Sequence, residues 1–115
     1  MEAYFLTIVG QKHYYGMKPY KVGRIVKLIK EADNEFDSEA IRVDLPFIGT
    51  IGYVANSTYT VYAGTYSAGR VYDKITDYAY ARIAFVTHSS AIALVVPAEE
   101  AEKEQEINDN DAIVF

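Results

Sequence analysis

The chain has 115 residues, 50% of them hydrophobic, which suits one globular domain with its own core and leaves no room for a second domain. It contains no cysteine, which excludes disulfides and thiolate metal sites and favours a reducing compartment. The formal net charge of −5 disfavours a general polyanion binder, although the distribution of the charge matters more than its sum.

Short runs of β-branched and aromatic residues predict four strands in the first half of the chain. The first covers residues 4–9 and is closed by Gly10, and the second, residues 24–30, follows a loop that contains Gly16 and Pro19. An Asn/Asp-rich loop leads into the third strand, residues 40–44. A hairpin connects it to the fourth, residues 50–54.

The alternation of apolar and polar residues that is typical of a strand is lost between residues 55 and 75, where the sequence predicts a short helical insertion. Ser57 is a candidate N-cap for a helix that Gly64 and Gly69 interrupt or end, and residues 70–75 can start a second helical turn.

Two further strands are predicted at residues 78–87 and 91–96, joined by a turn at residues 88–90. The first of them alternates and places four apolar side chains on one face: Ala79, Ala81, Ile83 and Phe85. Together these elements predict a mainly β fold, a small OB-like curved β-barrel of five to six strands with a short helical insertion.

The acidic charge is concentrated at the C-terminus. Residues 97–115 carry seven acidic side chains and one lysine, whereas residues 1–96 carry ten basic and nine acidic ones. We therefore predict a near-neutral barrel domain, residues 1–96, and an acidic, flexible tail, residues 97–115. No basic leader and no apolar run of roughly 20 residues is present, so we expect a cytoplasmic protein without a membrane partner.

Candidate catalytic or metal-binding groups are few. The two histidines, His13 and His88, belong to no motif at metal-ligand spacing, and no glycine-rich phosphate loop occurs. Residues 33–39 carry acids at alternate positions, as a calcium loop does, but Ser38 stands where such a loop requires glycine. We predict a binding module rather than an enzyme, with no cofactor and no metal.

The aromatic content is unusual, with eleven tyrosines and no tryptophan. His13, Tyr14 and Tyr15 follow the first strand in a loop flanked by lysines. Exposed rings beside cations are typical of proteins that stack the bases of single-stranded nucleic acid and hold its phosphates. Tyrosines of small β proteins also fill core rims and cross-strand pairs, and composition leaves both interpretations open.

Residues 28–43, whose last ten read NEFDSEAIRV, and residues 51–54, IGYV, resemble the central pattern of the HIRAN domain. Residues 8–10 with Tyr14, Tyr15 and Gly16 resemble its first strand and the aromatic loop that follows. The similarity extends from residue 5 to about residue 96 and implies an OB-like β-barrel.

By analogy with the HIRAN domains of fork-remodelling helicases, the resemblance also implies capture of a single-stranded DNA 3′ end. Two aromatic rings would hold the terminal base, and an aspartate would receive the terminal hydroxyl. The first ring falls on His13 or Tyr14, the second on Phe36 and the carboxylate on Asp37. The residues implied in nucleic-acid binding are Lys12, His13, Tyr14, Asn34, Phe36, Asp37 and Tyr53.

The same loop has a structural interpretation, in which Asn34 and Asp37 cap the backbone and the following apolar residues pack in a strand. The alternative to nucleic-acid binding is a protein-interaction or accessory module. Its partner would contact the barrel or the tail, whose last four residues, 112–115, are apolar. A further hypothesis is that the tail folds back over the basic N-terminal loops.

Overall fold

Each predicted strand is present in the computed structural model, which describes residues 3–103. The strands are β1 Phe5–Val9, β2 Ile25–Lys30, β3 Ile41–Leu45, β4 Gly49–Val54, β5 Tyr78–Val86 and β6 Ala91–Val96. A 3-10 turn covers Gln11–His13, helix α1 covers Ala68–Tyr72, and residues 98–103 are helical and are called α2 here. No helix within residues 3–103 is long and apolar enough to cross a membrane.

The six strands close into an antiparallel barrel in the order β1, β4, β3, β2, β5, β6, with β6 pairing back to β1. The predicted OB-like barrel is therefore confirmed. Its interior is filled by fully buried aliphatic side chains, foremost Leu6, Ile8, Leu28, Ile41, Ile51 and Ile83. Burial of each such side chain contributes roughly 1.5–3 kcal/mol, so this interior is the main source of stability.

One strand changes face part of the way along its length. Ile83 of β5 lies opposite Ala93, and Phe85 lies opposite the next residue, Ile92, so Ala84 is an extra residue in the ladder. Such a bulge reverses the alternation of side chains beyond it. The prediction that Phe85 shares a face with Ile83 is therefore wrong: Ile83 is fully buried, whereas Phe85 is 61% exposed.

The helix predicted to begin at Ser57 does not form. The carbonyl of Ser57 accepts from the amides of Thr60 and Val61, but the next amide, that of Tyr62, donates to the hydroxyl of Thr7 instead. The chain therefore turns once and leaves the helical path. The N-cap of α1 is Ser67, whose hydroxyl accepts from the amide three residues later.

Helix α2 lies at the start of the segment predicted to be a flexible tail. Its Ala101 is fully buried in a small cluster with Ile25 and Val96, separate from the barrel interior, and Glu100 pairs with Arg82 of β5. Residues 104–115 lie outside the described residues. The division at residue 97 and the flexibility of the tail remain predictions.

Candidate nucleic-acid interface

Asn34 shapes the loop between β2 and β3. Its Oδ1 accepts hydrogen bonds from the amides of Phe36 and Asp37, at 2.9 and 3.0 Å, and its Nδ2 donates to Oε1 of Glu31 at 3.0 Å. Asn and Asp side chains favour such turns because they imitate the backbone two residues on. The turn leaves the Phe36 side chain outside the fold, and this residue is 95% exposed.

Asp37 is held by donors on both sides of its carboxylate. Its Oδ1 accepts from the amide of Glu39 at 2.9 Å, and its Oδ2 accepts from Nδ2 of Asn56 at 3.0 Å. Asn56 is fixed in turn, because its Oδ1 accepts from the amide of Gly69 at 2.8 Å. Each carboxylate oxygen has a second lone-pair site, so the fixed carboxylate can still accept a hydrogen bond from a hydroxyl group of a ligand.

Tyr53 is held by Glu31, the same carboxylate that accepts a hydrogen bond from Asn34. Its hydroxyl donates to Oε1 of Glu31 at 2.8 Å, and the other oxygen of Glu31 lies 3.5 Å from the guanidinium of Arg42. Burial, and then the hydrogen bond and negative charge of Glu31, raise the pKa of Tyr53 well above its ordinary value. The phenol therefore remains a neutral donor, and its ring is held in one orientation.

These side chains line one open concavity with a volume of about 730 Å³. Four of the seven predicted site residues line it: Asn34, Phe36, Asp37 and Tyr53. Tyr14 is adjacent, because its ring centroid lies 6.3 Å from that of Tyr53 at an interplanar angle of 36°, and it is 42% exposed. Five residues that are separated by up to 39 positions in the sequence are thus brought to one place.

The remaining two predicted residues lie elsewhere. Lys12 lines a different depression, of about 510 Å³, together with His88, and His13 is exposed in the same 3-10 turn but lines neither depression. Of the two alternatives for the first ring, Tyr14 is therefore the one that contacts another aromatic residue of the concavity.

Sequence reasoning missed two parts of this arrangement. Asn56 and Ser57, which follow β4 after Ala55, also line the concavity. Asn56 could have been predicted, because it is a polar residue close to the end of the strand that contains the predicted site residue Tyr53. Glu31 gave no such signal, since its role depends on the antiparallel pairing of β2 with β3 and of β3 with β4.

The charge around the concavity is negative. No lysine or arginine of residues 3–103 lines it, and the loop that forms one wall carries five carboxylates: Glu31, Asp33, Glu35, Asp37 and Glu39. Within residues 3–103, no three acidic or histidine side chains are grouped closely enough to hold a metal ion. The concavity is thus suited to a flat ring and a hydrogen-bond donor rather than to a phosphate.

Residues 1–110 match the family model described as the HIRAN domain. The fold is similar to that of the HIRAN domain of human HLTF, with a TM-score of 0.58 and 14% identity over 91% of this chain and 87% of that chain. It is also similar to that of a protein from Lactobacillus plantarum, with a TM-score of 0.56 and 19% identity over 82% of this chain and 93% of that one. No curated protein matches the chain.

Proposed function

The chain belongs to the HIRAN domain family, which is generally a DNA-binding module, and we propose that it binds single-stranded nucleic acid by stacking a terminal base in the concavity. The observation that carries this proposal is the position of Phe36, an almost fully exposed ring beside a fixed carboxylate and in the same concavity as Tyr53. An exposed ring at this position is explained by a ligand that covers it.

Stacking provides the main attraction in this proposal. A base held between Phe36 and the pair Tyr14 and Tyr53 gains roughly 1–3 kcal/mol from stacking. That energy does not depend on the identity of the base, because every base has an aromatic face. We therefore expect modest affinity and weak sequence preference.

In this proposal, Asp37 makes the site prefer a free 3′ end. Its carboxylate accepts a hydrogen bond from a terminal hydroxyl, whereas a terminal phosphate would bring a second anion beside Asp37 and the acidic loop. We expect oligonucleotides that end in a 3′-hydroxyl to bind more tightly than the same oligonucleotides with a 3′-phosphate.

Fluorescence anisotropy tests the stacking role with a 5′-labelled single strand of roughly 12 nucleotides at low salt. We expect Phe36→Ala to lower affinity by about 10-fold or more, because it removes one ring from the stack. Phe47→Ala is the matched control: Phe47 is also 95% exposed, in the hairpin between β3 and β4, but it does not line the concavity. Absence of binding by the wild type, or an equal loss in both variants, contradicts the proposal.

The role of Asp37 is tested separately by the ratio of the two dissociation constants, 3′-phosphate over 3′-hydroxyl. Asp37→Asn keeps an acceptor for the amide of Glu39 but removes the negative charge. We expect the ratio to fall towards one. An unchanged ratio would leave base stacking intact and exclude end recognition by Asp37.

The second candidate is a protein-interaction module, and the five carboxylates beside an exposed ring favour it. A lysine or arginine side chain of a partner would find both an aromatic face and counter-charges there. In the same assay, Phe36-dependent binding of a labelled basic peptide, without binding of any oligonucleotide, would favour this candidate. An interaction through residues 104–115 concerns a segment outside the described residues.

A further inference from the structure

A nucleic acid that places a base in the concavity must place its phosphates elsewhere, because the part of the chain that the structure describes puts no cation in the lining of that concavity. A second depression, of about 390 Å³, adjoins it, and Asn56 and Ser57 line both. Apart from these two shared residues, the second depression is lined by Thr58 and by Arg70 of α1, among others. A nucleic-acid strand that leaves the concavity past Asn56 and Ser57 therefore enters a depression lined by a cation and by hydroxyl groups.

Arg70 differs from the other arginines in its contacts. Three of the four arginines of the chain are engaged by acceptor oxygens: Arg24 by Pro19, Arg42 by Glu31 and Asp44, and Arg82 by Glu100. The exposed side chain of Arg70 instead lies over the ring of Tyr66, 4.5 Å from its centroid. A cation–π contact of this kind uses no acceptor oxygen, so the guanidinium can still donate hydrogen bonds to a phosphate.

We propose that this second depression, the Arg70 depression, binds a backbone phosphate of the strand whose terminal base occupies the concavity. The inference rests on the proposed function. The planar fork of arginine donates two parallel hydrogen bonds to a phosphate, and the cation–π contact with Tyr66 restrains the guanidinium before binding. The hydroxyls of Ser57 and Thr58 are further donors to phosphate oxygens.

The depression lined by Lys12 is the competing route for the strand. It also contains a cation, but among the described residues it shares no lining residue with the concavity, whereas the Arg70 depression shares two. Because Asn56 and Ser57 line both the concavity and the Arg70 depression, the path of the nucleic-acid strand past these two residues is favoured.

The test combines variants of Arg70 with oligonucleotides that carry one uncharged methylphosphonate linkage at successive positions from the 3′ end. We expect Arg70→Gln to lower affinity about 10-fold and to reduce the slope of log affinity against log salt by roughly 0.7. Arg70→Lys, which keeps the charge but loses the fork, should lose less. Lys103→Gln is the charge-matched control, because exposed Lys103 lines none of the three depressions.

The methylphosphonate series identifies the phosphate without relying on a variant alone. One linkage near the 3′ end should weaken binding by the wild type and have no further effect on Arg70→Gln, since the same contact is already lost. Thermal denaturation confirms that each variant is folded.

The outcomes separate this inference from the proposed function. If the wild type binds and depends on Phe36 while Arg70→Gln behaves like Lys103→Gln, the Arg70 depression is not a phosphate site and base stacking stands. The same conclusion follows if each methylphosphonate linkage weakens binding by Arg70→Gln as much as it weakens binding by the wild type. If the wild type binds no oligonucleotide, both proposals fail.

Discussion

Gly52 in β4 has no free space for a side chain, and Gly52→Ala tests how tightly β4 is fitted beneath the site. A Cβ at this position would lie 2.8 Å from the carbonyl oxygen of Val9 and even closer to the hydroxyl oxygen of Tyr20. That hydroxyl is buried and donates to the carbonyl of Ile51 at 2.6 Å. We expect a loss of about 2–5 kcal/mol, from roughly 1–3 for overpacking and 1–2 for the broken buried hydrogen bond.

A double-mutant cycle with Tyr20→Phe separates these two contributions. The single variant Tyr20→Phe should cost about 1–2 kcal/mol, because it leaves the carbonyl of Ile51 without this donor. In the double variant with Gly52→Ala the hydrogen bond is lost only once, so the total should fall short of the sum by roughly 1–2 kcal/mol. The contact with the backbone of Val9 remains, so the double variant should still be less stable than Tyr20→Phe.

Urea denaturation followed by circular dichroism measures these free energies of unfolding, with an unchanged m value as the condition for comparing midpoints. Additive losses would show that the hydroxyl of Tyr20 moves aside without breaking its hydrogen bond. A loss for Gly52→Ala below roughly 0.5 kcal/mol, the range of ordinary surface substitutions, would refute the close fit of β4 against β1 altogether.

Three further predictions concern the site and its surroundings. Tyr53→Phe should cost about 1 kcal/mol in urea denaturation, because it removes the bond to Glu31, but should keep oligonucleotide affinity within about 3-fold, because the ring remains. Burial and, to a smaller extent, Tyr14 raise the pKa of Tyr20, so its contribution to stability is fully present below the ordinary tyrosine pKa of about 10 and is lost as pH rises above it. The urea midpoint should therefore fall in alkali, and less so in Tyr20→Phe. Asn56→Ala should lower the preference for a 3′-hydroxyl over a 3′-phosphate in the anisotropy assay, because it releases Oδ2 of Asp37.

The strands were predictable because each is a short run of β-branched and aromatic residues between turn residues. The reversal at Phe85 was not, because a bulge depends on the register between β5 and β6, and the sequence of one strand does not specify that register. The N-cap was misplaced for a similar reason: Ser57 and Ser67 are equivalent as N-caps in sequence, and after Ser57 a hydrogen bond from the amide of Tyr62 to the distant hydroxyl of Thr7 replaces the next helical bond. The second helical turn predicted at residues 70–75 overlaps α1, Ala68–Tyr72.

The site was predictable where its residues are close in sequence and carry a motif. Asn34, Phe36 and Asp37 occupy one loop, whose turn chemistry is visible in the residue types themselves. The contributions of Asn56 and Arg70 depend on where the end of β4 and helix α1 lie in the closed barrel. No local pattern encodes those positions.

The structural and the ligand-binding interpretations of this loop apply to different residues. Asn34 uses both polar atoms of its side chain within the loop, so its presence is explained by the turn alone. Asp37 holds the loop and Asn56 but retains acceptor capacity on both oxygens, so its structural role leaves room for a ligand. The side chain of Phe36 differs from both, because it buries almost no surface and has no polar group with which to stabilise the turn. Loop stability therefore does not account for an aromatic residue at this position. For this reason, the binding measurement with Phe36→Ala decides between the structural and the ligand-binding interpretation.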